Sequence, residues 1–470
     1  MQVDNVRFGF ANNSSSTHSV LIGNKHGPIQ SSDGDFCFGW DWFHLTTEEA
    51  KLRYLAAQLY ENLPGNHCEK ADVVREVMGI EVPWPDQGNG SWNGRCYTDH
   101  QSQWAFPSEY SSEQLHQPFL HALKESLLEK DVTIRGGNDN DDVGERPEWI
   151  RGKASKPHEA IPRDYHEGQV VCRQEGEWFV LFNRASGLKV RLSFNRDAAS
   201  YRHATAPELV DMKITDRCNR GCGFCYQGSA PDGQDADVGT IKTLLDRLAE
   251  KEVFEVAIGG GEPTLHPFFP WMLGYSVGKG IVPNFSTGTT AWMTNPTIAD
   301  AVRACCGSFA MSSLQIADLQ ALAEWNEKDI HSNGGCLQIP LGCYPQETVW
   351  QAISVAKGNG IAITLLGFKA HGRGTTFQPH PYRDFIRKEL ANRSFWRVGA
   401  DTLFVSEFRK ELDEAHVSAK LIADVEGAFS CYIDAVEGKM GASSYGAELH
   451  PINMDNLFER FPYHKEGVQL

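Results

Sequence analysis

The sequence has no apolar run approaching the roughly 18–20 residues that a membrane-spanning helix needs. Its first residues, Met1 to Asn13, carry neither a basic leader nor an apolar stretch. Together these absences predict a cytoplasmic protein that is neither exported nor membrane-bound. Positive charge is also short: 44 Lys and Arg stand against 61 Asp and Glu, a formal net charge of −17, and no basic patch offsets it. Such a surface repels phosphate backbones, which argues against a nucleic-acid substrate. What remains is ordinary globular material, 470 residues with 41% hydrophobic and 22% charged side chains. At roughly 100–200 residues per domain that is enough for two to four domains.

Residues 1–160 have irregular patterning with many aromatics and turn residues, and read as an N-terminal α+β accessory domain. Helices are predicted over Thr47 to Asn62, capped by Thr46 or Thr47, and over Ser112 to Lys130. The polar run Arg135 to Asp142 reads as surface loop, and 145–165, with three prolines, as a linker. Asp139, Asp141 and Asp142 lack the EF-hand spacing, and His18 and His100 are weak site candidates of this region. From Gly168 to Ser193 the pattern turns to period two, predicting a small antiparallel β meander within 161–205. Beyond Glu208, short apolar runs alternate with helical stretches. Strands are predicted at Leu209–Ile214, Val253–Ile258, Val282–Phe285, Phe309–Leu314, Leu337–Leu341 and Ala362–Leu366. Helices are predicted near Val238–Lys251, Phe268–Lys279, Pro296–Cys305, Asp318–Asp329 and Gln346–Lys357. Six βα repeats predict a parallel sheet over 206–400, most simply a partial (β/α)6 TIM-like barrel with its chemistry at the carboxyl ends of the strands. A C-terminal extension, 401–470, carries a predicted helix at Val405–Glu414 and a strand around Phe429–Val436.

Twelve cysteines are present, and without a secretion signal a disulfide framework is not expected. Most read as packed side chains. Cys218, Cys222 and Cys225 are different, falling within eight residues as C-x3-C-x2-C directly after the first barrel strand, with Gly221 and Gly223 allowing a tight loop. Soft thiolates select zinc, copper(I) or iron–sulfur clusters. Structural zinc wants four ligands, commonly in CxxC pairs, and no second pair exists. Three cysteines on a four-iron cluster would leave one iron open.

This trio, with Phe224 before its last cysteine and Gly259-Gly260-Gly261-Glu262-Pro263-Thr264 ending the second strand, resembles the radical S-adenosylmethionine (radical SAM) superfamily and its GGEP motif. The resemblance covers roughly 206–375. It implies an enzyme whose Cys218, Cys222 and Cys225 ligate three irons of a 4Fe–4S cluster, while S-adenosylmethionine chelates the fourth. An external donor supplies one electron, the cofactor's carbon–sulfur bond is cleaved, and the resulting 5′-deoxyadenosyl radical abstracts hydrogen from a substrate. Phe224 would lie near the adenine, and Gly260, Gly261 and Glu262 would receive the methionine amino group. Ser286, Thr287, Ser312 and Ser313 at strand ends are positioned for ribose or carboxylate, and Leu366 for the adenine edge.

Outside this cofactor set, Tyr226, Lys369, Arg373 and Cys431 are the weak catalytic candidates, with Gln227 and His371 near them. Cys336 and Cys343 flank the fifth strand and read as packed thiols. Three readings stand: a radical enzyme modifying a peptide or protein, a radical enzyme acting on a small metabolite, and a non-enzymatic zinc-binding structural protein.

Overall fold

The computed structural model describes residues 2–7, 36–38, 43–45, 47–62, 67–81, 96–98, 134–136, 170–185, 187–193, 201–328, 334–391, 398–414, 425–445 and 449–463. The expected helix 112–130, the linker 145–165, His18, His100 and the aspartates 139, 141 and 142 lie outside them.

The N-terminal part holds β1 (Gln2–Arg7), β2 (Phe36–Phe38), β3 (Phe43–Leu45), β4 (Cys96–Thr98) and β5 (Ile134–Gly136). Here β2 pairs with β4 and β3 with β5. The expected first helix forms as Glu48–Asn62, with the Thr47 hydroxyl accepting from the Ala50 amide at 3.2 Å, and a second helix spans His67–Met78. The meander forms as β6 (Val170–Glu175), β7 (Trp178–Asn183) and β8 (Lys189–Ser193), antiparallel throughout. Gly176 and Gly187 take the positive φ that its turns require. β1 adds to this sheet beside β8, across more than 180 residues of sequence, a pairing with no local signature.

The six expected strands all form: β9 (Leu209–Thr215), β10 (Glu255–Gly260), β11 (Val282–Thr287), β12 (Phe309–Met311), β13 (Gly335–Pro340) and β14 (Ile363–Leu366). They lie side by side and parallel, with helices between them. The sheet does not stop at six. β15 (Val398–Ala400) extends it beyond β14, and β16 (Ser430–Asp434) pairs parallel with the other edge of β9. The short antiparallel strands β17 (Lys439–Gly441) and β18 (His450–Pro451) follow. The expected helix at 405–414 is two pieces, Thr402–Glu407 and Arg409–Glu414, with Asp401 capping the first through the Phe404 amide at 2.8 Å. The protein is thus mixed α/β with a large, mostly parallel sheet. No helix among the described residues is long and apolar enough to cross a membrane.

Period-two alternation divides this sheet into two unlike faces. Val210, Met212, Ile214, Val256, Ile258, Phe285, Phe309, Met311, Leu337, Ile339, Leu365 and Ile433 pack with helix side chains such as Leu244, Leu248 and Met272 into one apolar core. Many of the intervening positions are polar: Asp211, Lys213, Asn284, Ser286, Gln338, Thr364, Tyr432 and Asp434, beside small or apolar residues such as Ala257 and Cys336. Burying so many polar groups is costly unless they pair, so this face is where chemistry is to be sought.

At the amino ends of the strands the meander is locked to the sheet. Glu208 accepts two bonds from Arg191, at 2.9 and 2.8 Å, and one from Lys189, and Arg173 donates to the carbonyls of Ala206 and Pro207. Phe182 stacks on Phe254 at 5.3 Å. The opposite end of the sheet is left to the loops that follow each strand.

Candidate functional site

The cysteine loop leaves β9 and returns to its own root. Cys218 donates its amide to Ala230, Ala230 to Asp216, and Asp216 to Gln234, so the residues between hang as a closed loop from the strand end. Within it the Cys225 amide bonds the Cys222 carbonyl at 3.2 Å, turning the chain between these cysteines. All three cysteines are half-buried free thiols. Burial raises the Cys218 thiol, and Glu262 and the other two cysteines add to that.

The glycine-rich segment after β10 lies directly on the root of this loop. Gly261 donates to Thr215 at 2.7 Å and Glu262 to Arg217 at 2.8 Å. Side chains at Gly260 and Gly261 would strike the Thr215 and Arg217 carbonyls, and Gly260 has φ 128°, so only glycine fits there. The Glu262 carboxylate is fully buried and occupied. It accepts from Thr264, from the Thr287 hydroxyl at 3.0 Å and from the Gly288 amide at 2.8 Å, tying the end of β10 to that of β11. Burial raises its pKa against the pull of those bonds.

The other strand-end candidates separate into two kinds. Thr287 is committed to Glu262, and Ser313 is buried on Asp318. Ser286 and Ser312 instead face the sheet interior, where Gln338 reaches both at 3.5 Å. The Leu366 carbonyl is taken by the Leu341 amide at 2.9 Å. Phe224 packs edge-on to Tyr344, 5.2 Å between centroids, and to Phe377 at 5.7 Å.

The loop after β14 grips the cysteine loop. Arg373 donates from Nε to the Cys222 carbonyl and from Nη1 to that of Ser229, both at 2.9 Å, and its amide bonds the Cys225 carbonyl at 3.0 Å. A side chain on Gly372 would collide with the Tyr226 carbonyl. Lys369 is buried with its ammonium 4.6 Å from the ring centroids of both Tyr226 and Tyr445. Cys431, by contrast, points with Ile433 into the apolar core, 2% exposed, and burial drives its thiol pKa upward. Cys336 faces inward near Thr364. Cys343 lies close enough to Cys222 to feel its charge, and its thiol is pushed up to about 12, mostly by burial.

Sequence reading missed Asp211, Glu426, Tyr432 and Tyr445, which the pairing of β16 with β9 brings to this region. The only local signal was polar Asp211 and Lys213 alternating with apolar residues along β9. Glu426 accepts from Tyr445 at 2.7 Å and from Thr402, and Gln227 reaches the Tyr432 hydroxyl at 3.5 Å.

The donor set suits an iron–sulfur cluster better than a single ion. Among the described residues no three His, Cys, Asp or Glu side chains converge on one metal position. A cluster needs no such convergence, since each thiolate binds a different iron.

The family model described as the radical SAM superfamily matches residues 212–308, from β9 to the threshold of β12 and so through both the cysteine loop and the glycine segment. That segment of the chain is a radical SAM domain. Among curated relatives, the mycofactocin maturase MftC of Mycobacterium tuberculosis is 33% identical over 87 residues, 18% of this chain and 22% of that protein. The GTP 3′,8-cyclase of Chlorobaculum tepidum is 33% identical over 82 residues, 16% of this chain and 25% of that protein. The matched segment therefore spans about a quarter or less of these relatives. Streptococcus suis SuiB, solved bound to precursor peptide SuiA, aligns over 63% of this chain and 88% of its own at 11% identity, with a TM-score of 0.46.

Proposed function

We propose that the protein is a radical SAM enzyme that holds a 4Fe–4S cluster on Cys218, Cys222 and Cys225, takes an electron from an external donor, and abstracts hydrogen from a peptide substrate. The observation that carries this reading is the clamping of the three-cysteine loop between the Gly260-Gly261 backbone and Arg373, at the carboxyl ends of parallel strands. The cluster and S-adenosylmethionine, when bound, supply reductive carbon–sulfur cleavage. The chain's own residues do the positioning: Arg373 fixes the Cys222 carbonyl, Glu262 and Thr287 fix the strand ends, and the Gly260 and Gly261 backbone offers acceptors to an amino group. The parallel strands would form an open (β/α) barrel around that chemistry, with 1–160 and the meander as accessory units and 401–470 as an extension that adds β16.

MftC's name as a maturase supports a peptide; similarity to a GTP cyclase supports the alternative of a small metabolite. A structural zinc site is the non-enzymatic alternative, and the sequence offers no second CxxC pair to complete four ligands. Anaerobic purification with iron and sulfide analysis tests the cluster; zinc without iron overturns the reading. Incubation with S-adenosylmethionine and a reductant is expected to yield 5′-deoxyadenosine, abolished in Cys222→Ala. Intact-mass analysis of co-expressed peptides separates the substrate classes, and a mass change confined to a metabolite removes the peptide reading.

A further inference from the structure

The inward face of β9 and β10 carries one group that the cofactor site does not explain. Asp211 is 4% exposed, and its Oδ2 is buried without a hydrogen-bond partner. Opposite it, buried Gly259 leaves a gap: a Cβ built there would meet only Asp211 Oδ1, at 3.8 Å, with no other atom within 4 Å. A void of at least methyl size thus lies on β10, one residue from the Gly260-Gly261 pair, beside a carboxylate on β9, the strand that leads to the cysteine loop.

Carboxylates and ammonium groups crowd the region around it. Lys213 is spent on Asp434 at 2.9 Å and Asp216 at 2.6 Å. Lys369 stands between the Tyr226 and Tyr445 rings, and the carboxylates of Asp211, Glu426 and Asp434 all act on this region. Burial, reinforced by Glu426 and Asp434 and opposed by Lys369, holds the Asp211 carboxyl well above the usual range, as expected of an acid awaiting a counter-charge. Tyr432 lies beside Asp211 in register on β16, and the Tyr226 and Tyr445 rings flank Lys369, so aromatic faces that can receive a cation are in the same region.

We propose that Asp211, across the void over Gly259, is the binding site for a positively charged nitrogen group of the substrate, an amine or a guanidinium. Lys369 is then the internal cation that this group competes with electrostatically. The site deepens the radical SAM reading by naming a substrate feature, but its test does not need turnover.

The probe is methylguanidinium, with acetate as its anionic counterpart, titrated against the anaerobically purified full chain and followed by saturation-transfer NMR. Saturable methylguanidinium binding is expected, about ten-fold weaker in Asp211→Asn and several-fold tighter in Lys369→Gln, as charge removal predicts. Asp300→Asn, an exposed carboxylate, should change nothing. Gly259→Val fills the void without altering Asp211 and should also abolish binding, so the test survives a poorly folding Asp211 variant. Binding unchanged in both Asp211→Asn and Gly259→Val, or acetate binding that Lys369→Gln removes, overturns the proposal. Loss of 5′-deoxyadenosine formation with methylguanidinium binding intact would instead count against the radical reading alone.

Discussion

Arg373 and Cys222, 151 residues apart in sequence, are joined by a 2.9 Å bond from the guanidinium to the cysteine's carbonyl oxygen. With its second bond to Ser229, this arginine sets the curvature of the loop that carries the three thiols. Bonds from a charged donor contribute about 1.5–3 kcal/mol each. Arg373→Gln is therefore expected to lower iron content per chain several-fold in purified protein while leaving far-UV circular dichroism near wild type. Arg373→Lys should recover only part of it, because one ammonium cannot reproduce the fork. Full iron loading in Arg373→Gln would refute the clamp.

Two glycines of positive φ should respond differently to alanine. At Gly228 (φ 69°) nothing lies within 4 Å of a new Cβ, so only backbone strain of about 1–2 kcal/mol is added. At Gly260 (φ 128°) the methyl lands on the Thr215 carbonyl, and the cost exceeds about 3 kcal/mol. Chemical denaturation of the two variants should show that gap, and iron loading should fail only in Gly260→Ala.

Glu208 gives a pH signature. Burial alone would raise its carboxyl, but Arg191 and Lys189 outweigh it and hold the pKa well below the usual range. A depressed folded pKa contributes stability above the unfolded value of about 4.3 that is lost as pH falls toward the folded value. The urea midpoint should drop from pH 7 to pH 4 in wild type. Glu208→Gln leaves two buried cations with reduced compensation, costing about 3–5 kcal/mol at pH 7, and its midpoint should vary less over that interval.

Asp211 has the opposite sign. Its folded pKa is raised, so its contribution is fully present below the unfolded carboxylate value and disappears as pH rises through the folded one. Asp211→Asn should melt higher than wild type at pH 8, with the advantage shrinking toward pH 5. A stability gain at a proposed binding residue is the expected mark of function held at the expense of folding.

The strands from Leu209 to Leu366 were legible because each is a short apolar run bounded by a helical period, and the cysteine loop because spacing alone distinguishes it. The sequence marks Arg373 only as a weak catalytic candidate; nothing in Gly372-Arg373-Gly374 reveals that its partners are carbonyls of another loop. Cys431 is likewise a weak catalytic candidate by sequence, yet alternation in β16 turns it to the core and Tyr432 to the interior. Register in a strand decides which neighbour faces the chemistry, and the register of β16 is set by β9, more than 200 residues earlier.

That same pairing orders events in time. Until Ser430–Asp434 has been synthesised, β9, the strand that carries the cysteine loop, has an open edge and lacks its neighbour. The loop can close on its own root early, but Tyr432, Asp434 and Tyr445 arrive only with the last tenth of the chain. Assembly of the interior is therefore a late, long-range step in folding, and ribosome-bound nascent chains ending before 430 should lack the completed wall against which a substrate would rest.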